Sequence, residues 1–155
     1  MNRSLAFIGK YWDGVVPQGT LNPETEQKIA ALYGRVGKQI EDGAFKDALD
    51  EIFEFIRSAN KFFDSEQPWI TRTTDEAKCQ DTLYQCVQII ANLSVLLAPF
   101  LPFSSEKVSK WLSIELNWTQ KRIPAGFKLP EVEILFQRID KKVIEIESEK
   151  LKSIL

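Results

Sequence analysis

The sequence predicts an all-α fold: an antiparallel bundle of about five helices with a further C-terminal helix lying across it. Three observations lead there. Apolar residues recur at steps of three and four along most of the chain, the period of a helix face. Start and stop signals bracket those segments, such as Asn22-Pro23 before one and Asp42-Gly43 after it. No convincing strand, internal repeat or low-complexity tract interrupts them. At 155 residues the whole chain, 1–155, reads as one domain.

Residues 3–12 read as the last turns of a helix. Leu5, Ile8 and Trp12 share a face, Arg3 and Lys10 stand off it, and Asp13-Gly14 ends it. No N-cap precedes this helix, so the domain is expected to be truncated at its N-terminus, with Met1 placed inside a longer protein. In the second helix, Asn22 caps, Pro23 takes the first position, Glu24 adds an acid, and Ile29, Leu32, Val36 and Ile40 mark the inner face. The third helix carries Phe45, Leu49, Ile52, Ile56, Ala59 and Phe63, an inner seam.

Pro68 ends that helix and biases Gln67 towards an extended conformation, so Trp69 and the following TRTT are expected in a loop. Asp75 opens a long helix to about Ala98. Leu83, Cys86, Val87, Ile90, Leu93 and Leu97 make so much of its circumference apolar that it belongs at the centre. The break Pro99-Phe100-Leu101-Pro102 is itself apolar and is expected to pack as a buried corner. Ser104 or Ser105 can cap a helix to about Leu112. Residues 113–130, with Trp118, Pro124, Gly126 and Pro130, form an irregular excursion. The segment EVEILFQRI is a short helix or an extended piece. A final helix from about Asp140 carries Val143, Ile146, Leu151 and Ile154 among Glu and Lys.

Composition excludes several chemistries. Histidine is absent, which removes the commonest general base and metal ligand together. Two cysteines alone cannot make a structural zinc site. Cys79 and Cys86 fall on one helix face roughly 10 Å apart, too far for a disulfide, and read as small buried hydrophobes in a reduced setting. No glycine spacing fits a phosphate loop, and no Ser or Cys has a nucleophile elbow. Glu131 and Glu133, and Glu145 and Glu147, read as solvated faces rather than acid–base pairs. Lys107-Val-Ser-Lys110 resembles part of the lysine loop with which class I synthetases hold ATP, but it continues into Trp111-Leu112 and reads as helix. No apolar run is long enough to span a bilayer and no signal peptide is evident, so a cytoplasmic location without membrane contact is expected. The net charge of −2 confines any nucleic-acid contact to local features.

Those local features are Arg3, Lys10, Asn60, Lys61, Trp69 and Arg72. Trp69 after Pro68 is either a lid over the end of a helical core or a platform on which a nucleobase stacks. A cation beside an exposed aromatic is the minimal kit for gripping a single-stranded RNA loop.

The order of motifs then becomes specific. The run NRSLAFIGKYWDGVVP resembles the start of the anticodon-binding domain of methionyl-tRNA synthetases. SANKFFDSEQPW resembles that family's Ala-Asn-basic-aromatic signature ending in Pro-Trp. LLAPFLPFSSEKV is similar to its Pro-bounded break, and LFQRID to the motif that follows its excursion. Together they cover nearly the whole chain. The resemblance implies a module that reads the CAU anticodon of initiator and elongator methionine tRNAs. In it Trp69 would stack on the first anticodon base, Pro68 would set the turn, and Arg3 would hydrogen-bond anticodon bases. The family's asparagine one turn before that arginine falls ahead of residue 1, and Asn2 is not its equivalent. Lys10, Asn60 and Lys61 occupy family-typical positions, either touching RNA or holding the scaffold.

The resemblance further implies a parent that ligates methionine to tRNA with ATP through a catalytic domain not contained in this chain. That domain and methionine tRNA would be the partners, with no DNA and no cofactor in the module itself. The zinc knuckle of some relatives belongs to the part of the parent not contained here. Two other readings stand beside it: a helical protein-interaction or scaffold domain, and an intact small enzyme, which the missing histidine and phosphate loops disfavour. Salt dependence separates RNA binding from an apolar protein interface.

Overall fold

The computed structural model describes residues 2–136 and 140–152. Seven helices run through them: α1 (Asn2–Tyr11), α2 (Pro23–Glu41), α3 (Phe45–Glu66), α4 (Pro68–Thr74), α5 (Glu76–Leu96), α6 (Pro102–Leu112) and α7 (Lys141–Lys152). Helix α5 is the spine and touches α1, α2, α3, α4 and α6. Its residues divide between two apolar clusters. Leu83, Cys86 and Val87 meet Leu5 and Ile8 of α1, Leu112 of α6, and Ile123 and Leu129 of the excursion. Ile89, Leu93 and Leu96 meet Ile29, Leu32 and Val36 of α2 and Ile52 of α3. Each fully buried Leu or Ile contributes about 1.5–3 kcal/mol by leaving water, so a helix buried on both sides organises the domain.

Local chemistry places the helix ends as expected in several places. The Asn22 side chain accepts from the Glu24 N–H at 2.8 Å, with Pro23 at the first helical position. Asp75 caps α5 by accepting from the Lys78 N–H at 3.1 Å. Asp13 and Gly14 turn out of α1 at φ 50° and 74°. Lys107 and Lys110 lie within α6, as the helical reading required.

Other expectations are corrected. The TRTT segment is helical, as α4, and Trp69 sits in its first turn rather than in a loop. Gln67 adopts the left-handed conformation, φ 47° and ψ 58°, instead of an extended one. Proline lacks an N–H, so it suits the first position of a new helix as well as it ends an old one. A single left-handed residue is then enough to redirect the chain between α3 and α4. Phe45 is exposed, and Ala48 takes the inner place at the start of α3. Helix α6 begins at Pro102, ahead of Ser104 and Ser105, with no side-chain cap, again because Pro opens a helix unaided. The break before it is only partly buried: Leu97 is inside, but Pro99, Pro102 and Phe103 are exposed. The final helix does not lie across the bundle with its apolar face covered. Val143, Ile144, Ile146 and Leu151 of α7 are each at least half exposed. Ile154 and the middle of the LFQRID motif lie outside the described residues.

The excursion 113–130 is held by polar side chains buried in α5, a feature the apolar pattern did not announce. Asn92 accepts from the Lys121 N–H at 2.8 Å and donates to the Lys121 carbonyl at 3.0 Å. The Tyr33 hydroxyl, from α2, donates to Asn92 at 3.2 Å. Trp118 stacks edge-on against the Tyr33 ring and donates its indole N–H to the Tyr33 carbonyl at 3.3 Å. The far end of the excursion meets the α1–α2 connector through one isolated antiparallel bridge between Val15 and Lys128. It is the one extended pairing among the described residues, and it pins the C-terminal end of α1 to the bundle.

Candidate nucleic-acid interface

The α3–α4 junction decides where Trp69 points. Pro68 is buried, and its carbonyl accepts from the Cys79 thiol of α5 at 3.4 Å. Burial pushes the Cys79 thiol's pKa up, keeping it protonated and able to donate. Trp69 follows immediately. Its ring packs against Phe63, one turn before the end of α3, with centroids 6.0 Å apart at 55°. Phe63 is buried while Trp69 keeps 46% of its surface exposed. The ring closes part of the core against Phe63 and leaves nearly half of its surface open to solvent.

Arg3 lies alongside. Its guanidinium stands 5.2 Å from the Phe63 ring centroid and bridges Asp64 at 3.0 Å. Both partners are more than half exposed, so the pair orients Arg3 more than it stabilises the fold. Arg3, Ala6, Phe7, Lys10 and Tyr11 of α1, with Phe63 and Trp69, line one open cleft of about 410 Å³. Helix α1 supplies aromatics (Phe7, Tyr11) and cations (Arg3, Lys10) together, and α3 and α4 add the rings of Phe63 and Trp69. Such an arrangement stacks a planar ring and attracts the negative charge attached to it.

Of the residues singled out from sequence, the structure brings Arg3, Lys10 and Trp69 to this cleft, with Pro68 behind it. Asn60 is half-buried and lines a small separate pocket with Arg3, Ser4 and Cys86 between α1, α3 and α5. Lys61 is exposed on α3 and does not line the cleft. Tyr11 was missed. Its ring lies 4.6 Å from Phe7 and 4.3 Å from the Arg72 guanidinium carbon, and Lys10 Nζ is 5.0 Å from it. The signal available was the Phe7–Tyr11 spacing of four, which puts two aromatics on one helical face away from the Leu5–Ile8 stripe. Among the described residues no cluster of Cys, Asp and Glu is arranged to hold a metal ion, and no helix is long and apolar enough to cross a membrane.

Fold and cleft together define an all-helical domain whose aromatic, cation-bearing cleft has the chemistry to take a ligand with a π face and negative charge. The comparisons with known proteins narrow this. A family model described as the anticodon binding domain of methionyl tRNA ligase matches residues 16–153. The chain belongs to that family. It is 50% identical over 153 residues to a methionine–tRNA ligase of Bacillus cereus strain G9842, and 48% identical to one of Bacillus mycoides strain KBAB4. In both cases 97% of this chain aligns with 28% of the relative, so the chain spans under a third of the length of the curated relatives it matches. Among solved structures, the apo form of Mycobacterium tuberculosis methionyl-tRNA synthetase superposes with a TM-score of 0.77 at 27% identity. That match covers 89% of this chain and 30% of the other. The same enzyme bound by methionyl-adenylate gives 0.76 at 28% identity over 87% of this chain and 29% of the other. These likenesses favour the recognition module over a scaffold domain or an intact small enzyme.

Proposed function

We propose that this domain reads the CAU anticodon of methionine tRNAs for a longer, cytoplasmic methionine–tRNA ligase that joins methionine to tRNA using ATP. The observation that carries the reading is the half-exposed Trp69, braced on Phe63, in one cleft with Arg3. An anticodon is a loop of bases that can be splayed from their stack, the form in which RNA sequence is most readily read. The first anticodon base stacks on Trp69, held in place by the turn at Pro68. Arg3 offers its guanidinium edges to base acceptors, exchanging part of its contact with Asp64 for the RNA. Asn60 supports Arg3 from behind, where both border the same small pocket. Lys10 supplies attraction to the backbone at the cleft wall. Lys61 is assigned a contact with the more distal RNA backbone, since it is exposed outside the cleft.

The test is titration of the 155-residue chain, at one stated low salt, with an RNA stem-loop carrying CAU and with a copy altered at the first base. Preference for CAU that disappears in Trp69→Ala is the expected result. Equal binding of both RNAs by the wild-type chain would reduce the interaction to sequence-independent electrostatics and overturn the reading.

A further inference from the structure

We propose that Tyr11, Arg72 and Lys10 form a phosphodiester subsite, which takes a backbone phosphate of the strand whose base stacks on Trp69. It deepens the anticodon reading and rests on it.

Three features of the structure converge. The Tyr11 ring, 39% exposed, lines the same cleft as Trp69 and Arg3. Two cations address that one ring: the Arg72 guanidinium carbon at 4.3 Å and Lys10 Nζ at 5.0 Å from its centroid. They come from different helices, α4 and α1, so tertiary packing assembles them. Among the described residues, neither cation forms an ion pair, whereas Arg3 in the same cleft is engaged by Asp64. This is unusual placement in a chain with 22 acids against 20 bases. Asp13, Asp75 and Glu76 are near in sequence, yet none comes within ion-pair distance of Arg72 or Lys10.

Two like charges gathered on one ring, with no carboxylate between them, repel each other until an anion arrives. The ring offsets part of that repulsion through its negative face. A guanidinium stacked on an aromatic keeps its N–H edge free, and that edge matches two oxygens of one phosphate. Arg72 follows Trp69 by three residues on α4, so both side chains project from neighbouring positions of one short helix. A base held on Trp69 thus carries its own phosphate chain along the side where Arg72 stands. Binding there is independent of base identity, because every nucleotide brings the same phosphate.

The experiment is a salt series of binding between the 155-residue chain and the CAU stem-loop and its first-base variant. Wild type, Arg72→Gln, Arg72→Lys, Tyr11→Leu and Trp69→Ala are compared. Arg72→Gln is expected to weaken binding of both RNAs about fivefold at low salt. Its slope of log affinity against log salt should be shallower than wild type by about 0.7–1. Arg72→Lys keeps the slope. Tyr11→Leu moves towards Arg72→Gln because the guanidinium loses its platform, and unchanged thermal melting of Arg72→Gln shows that the fold is retained. A wild-type affinity and slope in Arg72→Gln overturns the subsite, as does a loss confined to the CAU loop, which would mean base readout. Failure of the anticodon reading looks different. The wild-type chain then binds both RNAs alike and Trp69→Ala changes nothing, while a shallower slope in Arg72→Gln still identifies a phosphate contact. Absence of any binding overturns both.

Discussion

Gln88 and Ile123 exchange two hydrogen bonds in the interior: Gln88 Nε2 donates to the Ile123 carbonyl at 2.8 Å, and the Ile123 N–H donates to Gln88 Oε1 at 2.9 Å. The side-chain amide imitates a neighbouring strand and satisfies a buried backbone unit that has no other hydrogen-bond partner among the described residues. Gln88→Leu keeps the approximate volume but leaves that donor and acceptor unpaired. The expected cost is about 2–6 kcal/mol, one desolvation penalty for each group. Urea unfolding measures it, and a loss below about 1 kcal/mol would mean that water replaces the amide.

Gly19 marks another close approach. A Cβ built there would lie 2.5 Å from Cβ of Tyr84 and 3.2 Å from the Asp81 Cα, so the connector could not keep its seat on α5. Gly19→Ala should destabilise the domain by about 1–3 kcal/mol, as overpacking does elsewhere. A midpoint of unfolding equal to wild type would show the connector free to lift away.

Trp69→Ala separates recognition from folding. With 46% of the residue already exposed, truncation should cost only about 1–2 kcal/mol of stability, leaving a cooperative melt and an unchanged helical circular dichroism spectrum. The same change removes a stacking platform worth about 1–3 kcal/mol per base. Collapse of the cooperative transition would make Trp69 a core residue first and withdraw it from the cleft's binding surface.

Asp64 restrains Arg3. In Asp64→Asn the exposed ion pair is lost, a change expected to alter stability by less than about 1 kcal/mol. The freed guanidinium and the missing carboxylate should together strengthen RNA binding at low salt and narrow the preference for CAU over altered loops. Weaker binding in this variant would mean that Asp64 is needed to aim Arg3.

Alkaline pH should reveal Cys86. Burial raises its thiol pKa from 9.0 to about 11 in the folded chain. Between those values the unfolded thiol has lost its proton and the folded one has kept it, so the unfolded state binds fewer protons and stability falls as pH rises. The contribution is fully present below pH 9 and is lost by about pH 11, amounting to about 2–3 kcal/mol. Cys86→Ala should flatten that part of the curve. In the folded wild-type chain neither thiol should react readily with a labelling reagent at neutral pH, since both cysteines are buried.

The sequence by itself determined the all-α class, the caps at Asn22 and Asp75, the central place of α5 and the pairing of Pro68 with Trp69. Those properties depend on local rules: helical periodicity, the hydrogen-bonding habits of short polar side chains, and the restricted φ of proline. The tertiary structure alone decided the rest. Whether Gln67 turned extended or left-handed depended on where α4 could pack, and the left-handed turn put Trp69 over Phe63 on the side facing α1. Gln88 and Asn92 are polar positions on an otherwise apolar helix, and only the backbone of residues 121–123 packed beside them supplies their partners. Tyr11 and Arg72 are 61 positions apart, and no period relates them. They meet because α1 and α4 pack against the same spine, and a cleft shared between helices is a property of that packing, which no single stretch of sequence encodes.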